Sequence, residues 1–145
     1  MSDECGVMSA ECGVKNGGGD RGVENGGKHK HQLNPRTKQF GIRAIRLTEA
    51  LPGTAAGQVM GRQLLRSALS VGANYRAACR ARSRAEFVSK MGIVEEEIDE
   101  SLYWIEMLVE AGLVKKERLT ALMDEGGQIA AMAVASIKTA RTRLK

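Results

Sequence analysis

Residues 61–110 read GRQLLRSALSVGANYRAACRARSRAEFVSKMGIVEEEIDESLYWIEMLVE, and two apolar stripes within them decide the fold. The first runs Gly61, Leu65, Ala68, Gly72, Tyr75, Cys79 in alternating steps of four and three, the spacing of a heptad seam on one face of a helix. The second runs Phe87, Met91, Val94, Ile98, Leu102, Ile105, Val109, again stepping by four and three, with two fours in succession through Ile98. Between them Ser83-Arg84-Ala85-Glu86 has the form of a capping box: the Ser83 hydroxyl accepts from the Glu86 amide, and the Glu86 carboxylate accepts from the amide of Ser83. Gly112 followed by Leu113 marks a left-handed stop with its hydrophobic contact. Two helices of about 27 and about 30 residues are therefore expected, each about 40 Å long at ~1.5 Å per residue, joined by a short corner.

The same periodicity extends in both directions. Upstream, Phe40, Ile42, Ile45, Leu47 and Leu51 mark a first helix that stops at Pro52-Gly53, after which Thr54 caps the second. Downstream, Leu119, Leu122, Gly126, Ile129, Ala133, Ile137 and Ala140 make a fourth. Short connections force successive long helices to pack antiparallel, so residues 35–145 are expected to form an all-α, up-down-up-down antiparallel four-helix bundle. Aromatics are only 3% of the chain and apolar residues 43%, a mix that favours helices over sheet. Gly126-Gly127 costs about 1 kcal/mol per glycine inside a helix, so a kink or a close contact is expected there. Gly57, Gly61 and Gly72, with Ala130, Ala131, Ala133 and Ala135, are small faces for close approach, within the bundle or against another subunit.

Residues 1–34 differ. They hold eight of the 17 glycines, both histidines and few large apolar side chains, too little apolar surface to offset the entropy of ordering them. A Gly-rich, disordered N-terminal tail is expected, with a small repeat, Glu4-Cys5-Gly6-Val7 and Glu11-Cys12-Gly13-Val14. Cys5, Cys12, His29 and His31 invite a zinc site, but C-x6-C and H-x-H lack the paired spacing by which each half chelates from one tight turn. Neither metal nor cofactor is expected. Three cysteines in a chain without an apolar leader argue for free thiols. With no apolar run of the ~18 to 20 residues that span a bilayer, a soluble cytoplasmic protein without membrane contact is expected.

Catalytic signatures are missing from residues 35–145, which contain no histidine, the commonest general base, and one cysteine. Cys79 falls on the apolar seam, where a buried inert thiol is expected. The run Glu95-Glu96-Glu97-Ile98-Asp99-Glu100 lacks the Glu-x-x-His pairs of a di-metal bundle site and reads as a solvated or salt-bridged face. Ser70 and Asn74 sit one turn apart near the seam, where they satisfy backbone carbonyls or fix register. Tyr103 and Trp104 cannot both face the core that holds Leu102 and Ile105. At least one ring is expected to point outward, making Tyr103, Trp104, Met107 and Leu108 a subunit contact, or else Trp104 closes the rim of its own core.

Charge sorts by end. Twenty-two Lys and Arg against 17 Asp and Glu give a net charge of +5. In an up-down bundle the start of helix one, the corner between helices two and three, and the end of helix four lie at one end. Arg36, Lys38, Arg76, Arg80, Arg82, Arg84, Lys90, Lys138, Arg141, Arg143 and Lys145 fall there against Glu86 alone. The acids Glu95, Glu96, Glu97, Asp99, Glu100, Glu106 and Glu110 crowd helix three instead. Such an end suits a polyanion, RNA or DNA, gripped through phosphates rather than stacked bases. Competing explanations are helix-dipole complementation and pairing of helix-two arginines with helix-three acids.

The stretch Gln63-Leu64-Leu65-Arg66-Ser67-Ala68-Leu69-Ser70-Val71-Gly72-Ala73-Asn74, with Ser83–Lys90 and Glu97–Trp104 behind it, resembles a bacterial four-helix bundle family. That family includes proteins encoded in intervening sequences of large-subunit ribosomal RNA genes and, more distantly, the accessory variability determinant of diversity-generating retroelements. The resemblance implies a basic homopentamer without catalytic residues, and in the retroelement branch a partner of a reverse transcriptase and of nucleic acid. The reading is a non-enzymatic homo-oligomer binding nucleic-acid backbone through Arg76, Arg80, Arg82, Arg84, Lys90, Lys138, Arg141 and Arg143. The alternative is a protein-interaction scaffold with a protein partner and no nucleic acid.

Overall fold

The computed structural model describes residues 33–144. The expected tail, with its cysteines and histidines, lies outside them save for its last two residues. Four helices follow one another: α1 Leu33–Glu49, α2 Ala55–Cys79, α3 Arg84–Glu110 and α4 Lys116–Leu144. No strand occurs among the described residues. Each helix packs on the next, and α4 returns against α1, which gives the expected antiparallel four-helix bundle. The bundle starts two residues before the expected boundary, because Leu33 is 2% exposed and already helical. Pro35 sits in the first turn of α1, where its missing N–H costs no hydrogen bond.

Local chemistry ends and starts the helices where the sequence indicates. Thr54 accepts from the Gly57 amide at 3.1 Å and caps α2. Ser83 accepts from the Glu86 amide at 3.1 Å and caps α3. The reciprocal half of that capping box is displaced: Ser83 is extended, and the Glu86 carboxylate accepts from the amide of Arg82 at 2.8 Å rather than from Ser83. At the far end of α3, Gly112 has φ 75° and donates to the Val109 carbonyl, while Leu113 donates to Leu108 and packs on the core. This is the Schellman arrangement, and its left-handed residue is the glycine.

The α4 stripe is buried at all seven expected positions, Leu119 through Ala140. The stripes of α2 and α3 shift in part by one residue. Leu64, Val71 and Ala78 are buried where Leu65, Gly72 and Cys79 are half-buried, and Ser101 and Leu108 are buried where Leu102 and Val109 are half-buried. These helices each pack between two neighbours, so the covered face is wider than a two-helix seam and drifts with the 3.6-residue period. On α1 the core residues are Leu33, Thr37, Phe40, Gly41 and Ala44, while Ile42 is 38% exposed. Cys79 is half-buried and packs against the core.

Two buried details fix the packing. The Ser101 hydroxyl lies 3.0 Å from that of Ser67, and the Ser67 hydroxyl also donates to the Gln63 carbonyl at 3.0 Å, so a satisfied polar pair ties α3 to α2 inside the core. Gly126 resolves the glycine question in favour of a close contact. A Cβ there would meet Leu102 Cδ2 at 2.7 Å and Phe40 Cε2 at 3.3 Å, and α4 runs unbroken through it. Gly61 lets α2 approach Leu51 and Thr48, and Gly57 admits the Pro52 carbonyl of the turn that precedes α2. Ser70 donates to the Arg66 carbonyl at 2.6 Å and Asn74 to the Ser70 carbonyl at 2.9 Å, so both satisfy backbone as expected.

Glycine substitutions separate these roles. Gly57→Ala places a methyl 2.5 Å from the Pro52 carbonyl oxygen and should destabilise by about 1 to 3 kcal/mol. Gly127→Ala meets nothing within 4 Å and should stabilise by up to about 1 kcal/mol through helix propensity. Urea midpoints moving in opposite directions would confirm both; a stabilised Gly57→Ala would refute the close approach.

Candidate nucleic-acid interface

The antiparallel register brings the end of α2, the start of α3 and the end of α4 together. Arg84, in the first turn of α3, donates from Nη1 to the Arg143 carbonyl at 2.8 Å, a direct link between two corners of this end. Around it Arg76, Arg80, Arg82, Lys138, Arg141 and Arg143 are exposed, and Arg84 and Lys90 are half-buried. None of these eight cations forms an ion pair among the described residues. The lone acid here, Glu86, accepts a bond from a backbone amide.

The eight do not all stand alike. Arg76 lies in the last turn of α2, and Arg141 and Arg143 in the last turn of α4, where cations offset the partial negative charge of the helix ends. Arg84 serves the fold, since it caps the α4 terminus. Its Nε is buried without a hydrogen-bond partner among the described residues. Arg36, expected with this group, is drawn away: Nε and Nη2 grip Glu125 at 2.7 and 3.0 Å, and Nη2 reaches Gln128 at 2.8 Å. That bidentate grip holds the Glu125 carboxyl below its ordinary value, with the nearby Arg43 adding to the effect, while partial burial opposes it.

The acidic run of α3 is a salt-bridged and solvated face. Arg66 of α2 pairs with Glu97 at 3.5 Å and with Glu100 at closer range. The bond from Arg66 lowers the Glu100 carboxyl despite some desolvation, and the Trp104 indole adds to it by donating to the same oxygen at 3.3 Å. Glu95, Glu96 and Asp99 stay exposed.

The expected aromatic contact surface separates into parts. Tyr103 is 52% exposed and meets Trp104 edge-to-face, with centroids 5.1 Å apart. Trp104 and Met107 are half-buried against their own core. Leu108 is 0% exposed and belongs to that core, which removes it from the outward-facing set. The reason is the one-residue shift of the α3 stripe. Val59, at 57%, and Leu69, at 47%, are exposed apolar groups that spacing did not single out; Leu69 and Ile42, which spacing put in the core, line an α1–α2 groove together with Lys38 and Arg76. Their neighbourhood depends on how two helices meet, which no local pattern shows.

Acid should dissolve the Arg36–Glu125 contribution. Because the folded carboxyl titrates below the ordinary 4.5, its stabilisation is complete above that pH and is lost as pH falls through the folded value. Glu125→Gln should therefore lose roughly 0.5 to 1 kcal/mol at pH 7. The urea midpoints of variant and parent should converge well below pH 4.5; parallel curves at all pH values would disprove the assignment.

The family model for 23S rRNA-intervening sequence proteins matches residues 30–135. A crystal structure of a protein of unknown function from the S23 ribosomal protein family of Bacteroides thetaiotaomicron is similar to this chain. It shares 31% identity and a TM-score of 0.69, over 73% of this chain and 98% of that one. No curated protein matches. No helix among the described residues is long and apolar enough to cross a membrane. Four antiparallel helices in this register, matched over most of their length, place the chain in the 23S rRNA-intervening sequence protein family.

Proposed function

We propose that the protein is a non-enzymatic, homo-oligomeric bundle whose basic end binds the backbone of RNA or DNA. The observation that carries this reading is the contrast between arginines. Arg36 and Arg66 are held by carboxylates, whereas Arg76, Arg80, Arg82, Arg141 and Arg143 stand exposed at one end with no ion-pair partner among the described residues. Helix dipoles account for part of this charge, Arg80 included as the C-cap of α2, but Arg82 lies beyond that cap and just before the N-terminus of α3, where a helix dipole disfavours a cation. Phosphates satisfy such cations and release counterions as they bind. Membership of a family tied by name to ribosomal RNA intervening sequences is in keeping with a nucleic-acid partner. Assembly as a homopentamer, implied by the family resemblance, would repeat the basic end and multiply weak phosphate contacts into avidity. The narrower form of the reading is an accessory partner of a nucleic-acid enzyme such as a reverse transcriptase.

The test is fluorescence anisotropy of a structured RNA and a matched DNA duplex across a salt series. Affinity should fall linearly with salt on logarithmic axes. Arg80→Glu with Arg141→Glu, neither of which holds the fold together, should weaken binding at least tenfold and flatten the slope by about 2, near one per lost phosphate contact. Absence of binding at low salt would sink the proposal and leave a protein-interaction scaffold.

A further inference from the structure

A second cationic region lies at the opposite end of the bundle. The C-terminal half of α1 and the start of α4 diverge around a cleft of about 370 Å³, within the size range of small-molecule sites. Its apolar floor comes from Leu47, Leu113, Val114, Leu119 and Leu122, and three guanidinium-bearing residues, Arg43, Arg46 and Arg118, stand around it. No carboxylate among the described residues lines it.

Fold energetics do not account for these three arginines together. Arg46 sits in the last turn of α1 and complements its dipole. Arg118 sits in the first turn of α4, the end at which a cation is disfavoured. Arg43 is half-buried, and Glu125, the carboxylate whose charge it feels, is already gripped by Arg36. None of the three forms an ion pair among the described residues.

We infer that this cleft is a binding site for a small organic anion with an apolar body, a carboxylate or a phosphate monoester, its charge held by Arg43, Arg46 and Arg118 and its body laid on Leu47, Leu119 and Leu122. Three cations around one cavity match one or two negative charges, and Arg suits both carboxylate and phosphate through paired N–H donors. The leucines exclude inorganic phosphate as the preferred occupant, because it leaves them uncovered.

Isothermal titration calorimetry on the full chain tests this with 1-naphthyl phosphate, 1-naphthoate, inorganic phosphate and the neutral 1-naphthalenemethanol. One saturable site per chain is expected for at least one aromatic anion, and the tighter of the two identifies the anionic group. The neutral alcohol and inorganic phosphate should each bind at least tenfold more weakly. Arg43→Gln with Arg118→Gln should cost at least tenfold. Ala50→Trp fills the cleft from its rim without removing charge and should do the same, guarding against a folding defect in the first variant. Arg80→Glu with Arg141→Glu, at the other end, should leave the affinity unchanged. Equal binding of the neutral alcohol, equal loss in the other-end variant, or no saturable binding would overturn the site. So would Arg43→Gln with Arg118→Gln splitting an oligomer, measured by sedimentation, since the arginines would then be a subunit contact.

Discussion

The bundle depends on one close approach. Where α4 passes Phe40 of α1 and Leu102 of α3 it has no side chain, and the two rival groups fill the space that a Cβ at Gly126 would take. A bundle core is packed to near-crystalline density, so a gap or a bulge here would propagate into every helix contact. The arrangement matters most for α1, which at 17 residues is well short of its neighbours and has few large apolar groups of its own. Phe40 anchors it. Once anchored, α1 places Arg36 against Glu125 and Gln128 on α4, and Thr37 against Gly72 on α2.

Register along the α2–α3 pair follows from a different device. Apolar seams tolerate sliding, because leucine fits almost as well one turn away. The buried Ser67–Ser101 contact adds a polar preference for one register, on top of the bonds each hydroxyl makes to a carbonyl of its own helix. Arg66 reinforces the same register from outside through Glu97 and Glu100. Consequently the Ser83 corner falls at a set level, and Arg76, Arg80 and Arg82 lie beside Arg84 and the end of α4. The charge pattern of the end is a product of packing in the core.

Sequence spacing carried the helices, their caps and the α4 core position by position, because those features are local and periodic. It also brought Arg76, Arg80, Arg82, Arg84, Arg141 and Arg143 to one end, since short corners leave one way to fold four long helices, whereas Arg36 goes to Glu125. Errors arose where a residue's setting depends on two neighbours at once. Leu108 was expected outside and lies inside, Ile42 the reverse, and the Ser67–Ser101 pair was invisible because serine at a seam looks like a lapse in the stripe. The Arg43, Arg46 and Arg118 cleft was equally hidden: its members come from helices far apart in sequence, and no motif joins them.

A net charge of +5 describes neither end of this molecule. Among the described residues, seven acids sit on the flank of α3, where Glu97 and Glu100 are spent on Arg66, and Glu125 on α4 is spent on Arg36. Cations left over collect at the two ends, around the Ser83 corner and around the α1–α4 cleft. Like charges held together repel, and a fold under no other demand would gain stability by scattering them or by moving a carboxylate among them. Of the 12 acids among the described residues, Glu86 alone lies at one end and none lines the cleft at the other. Such spacing is a cost to the isolated bundle that an anion removes on arrival. Exposed cations at the corner suit an extended, many-phosphate partner, while cations around an apolar hollow suit a small one, so the shape of each surround decides what kind of anion it takes.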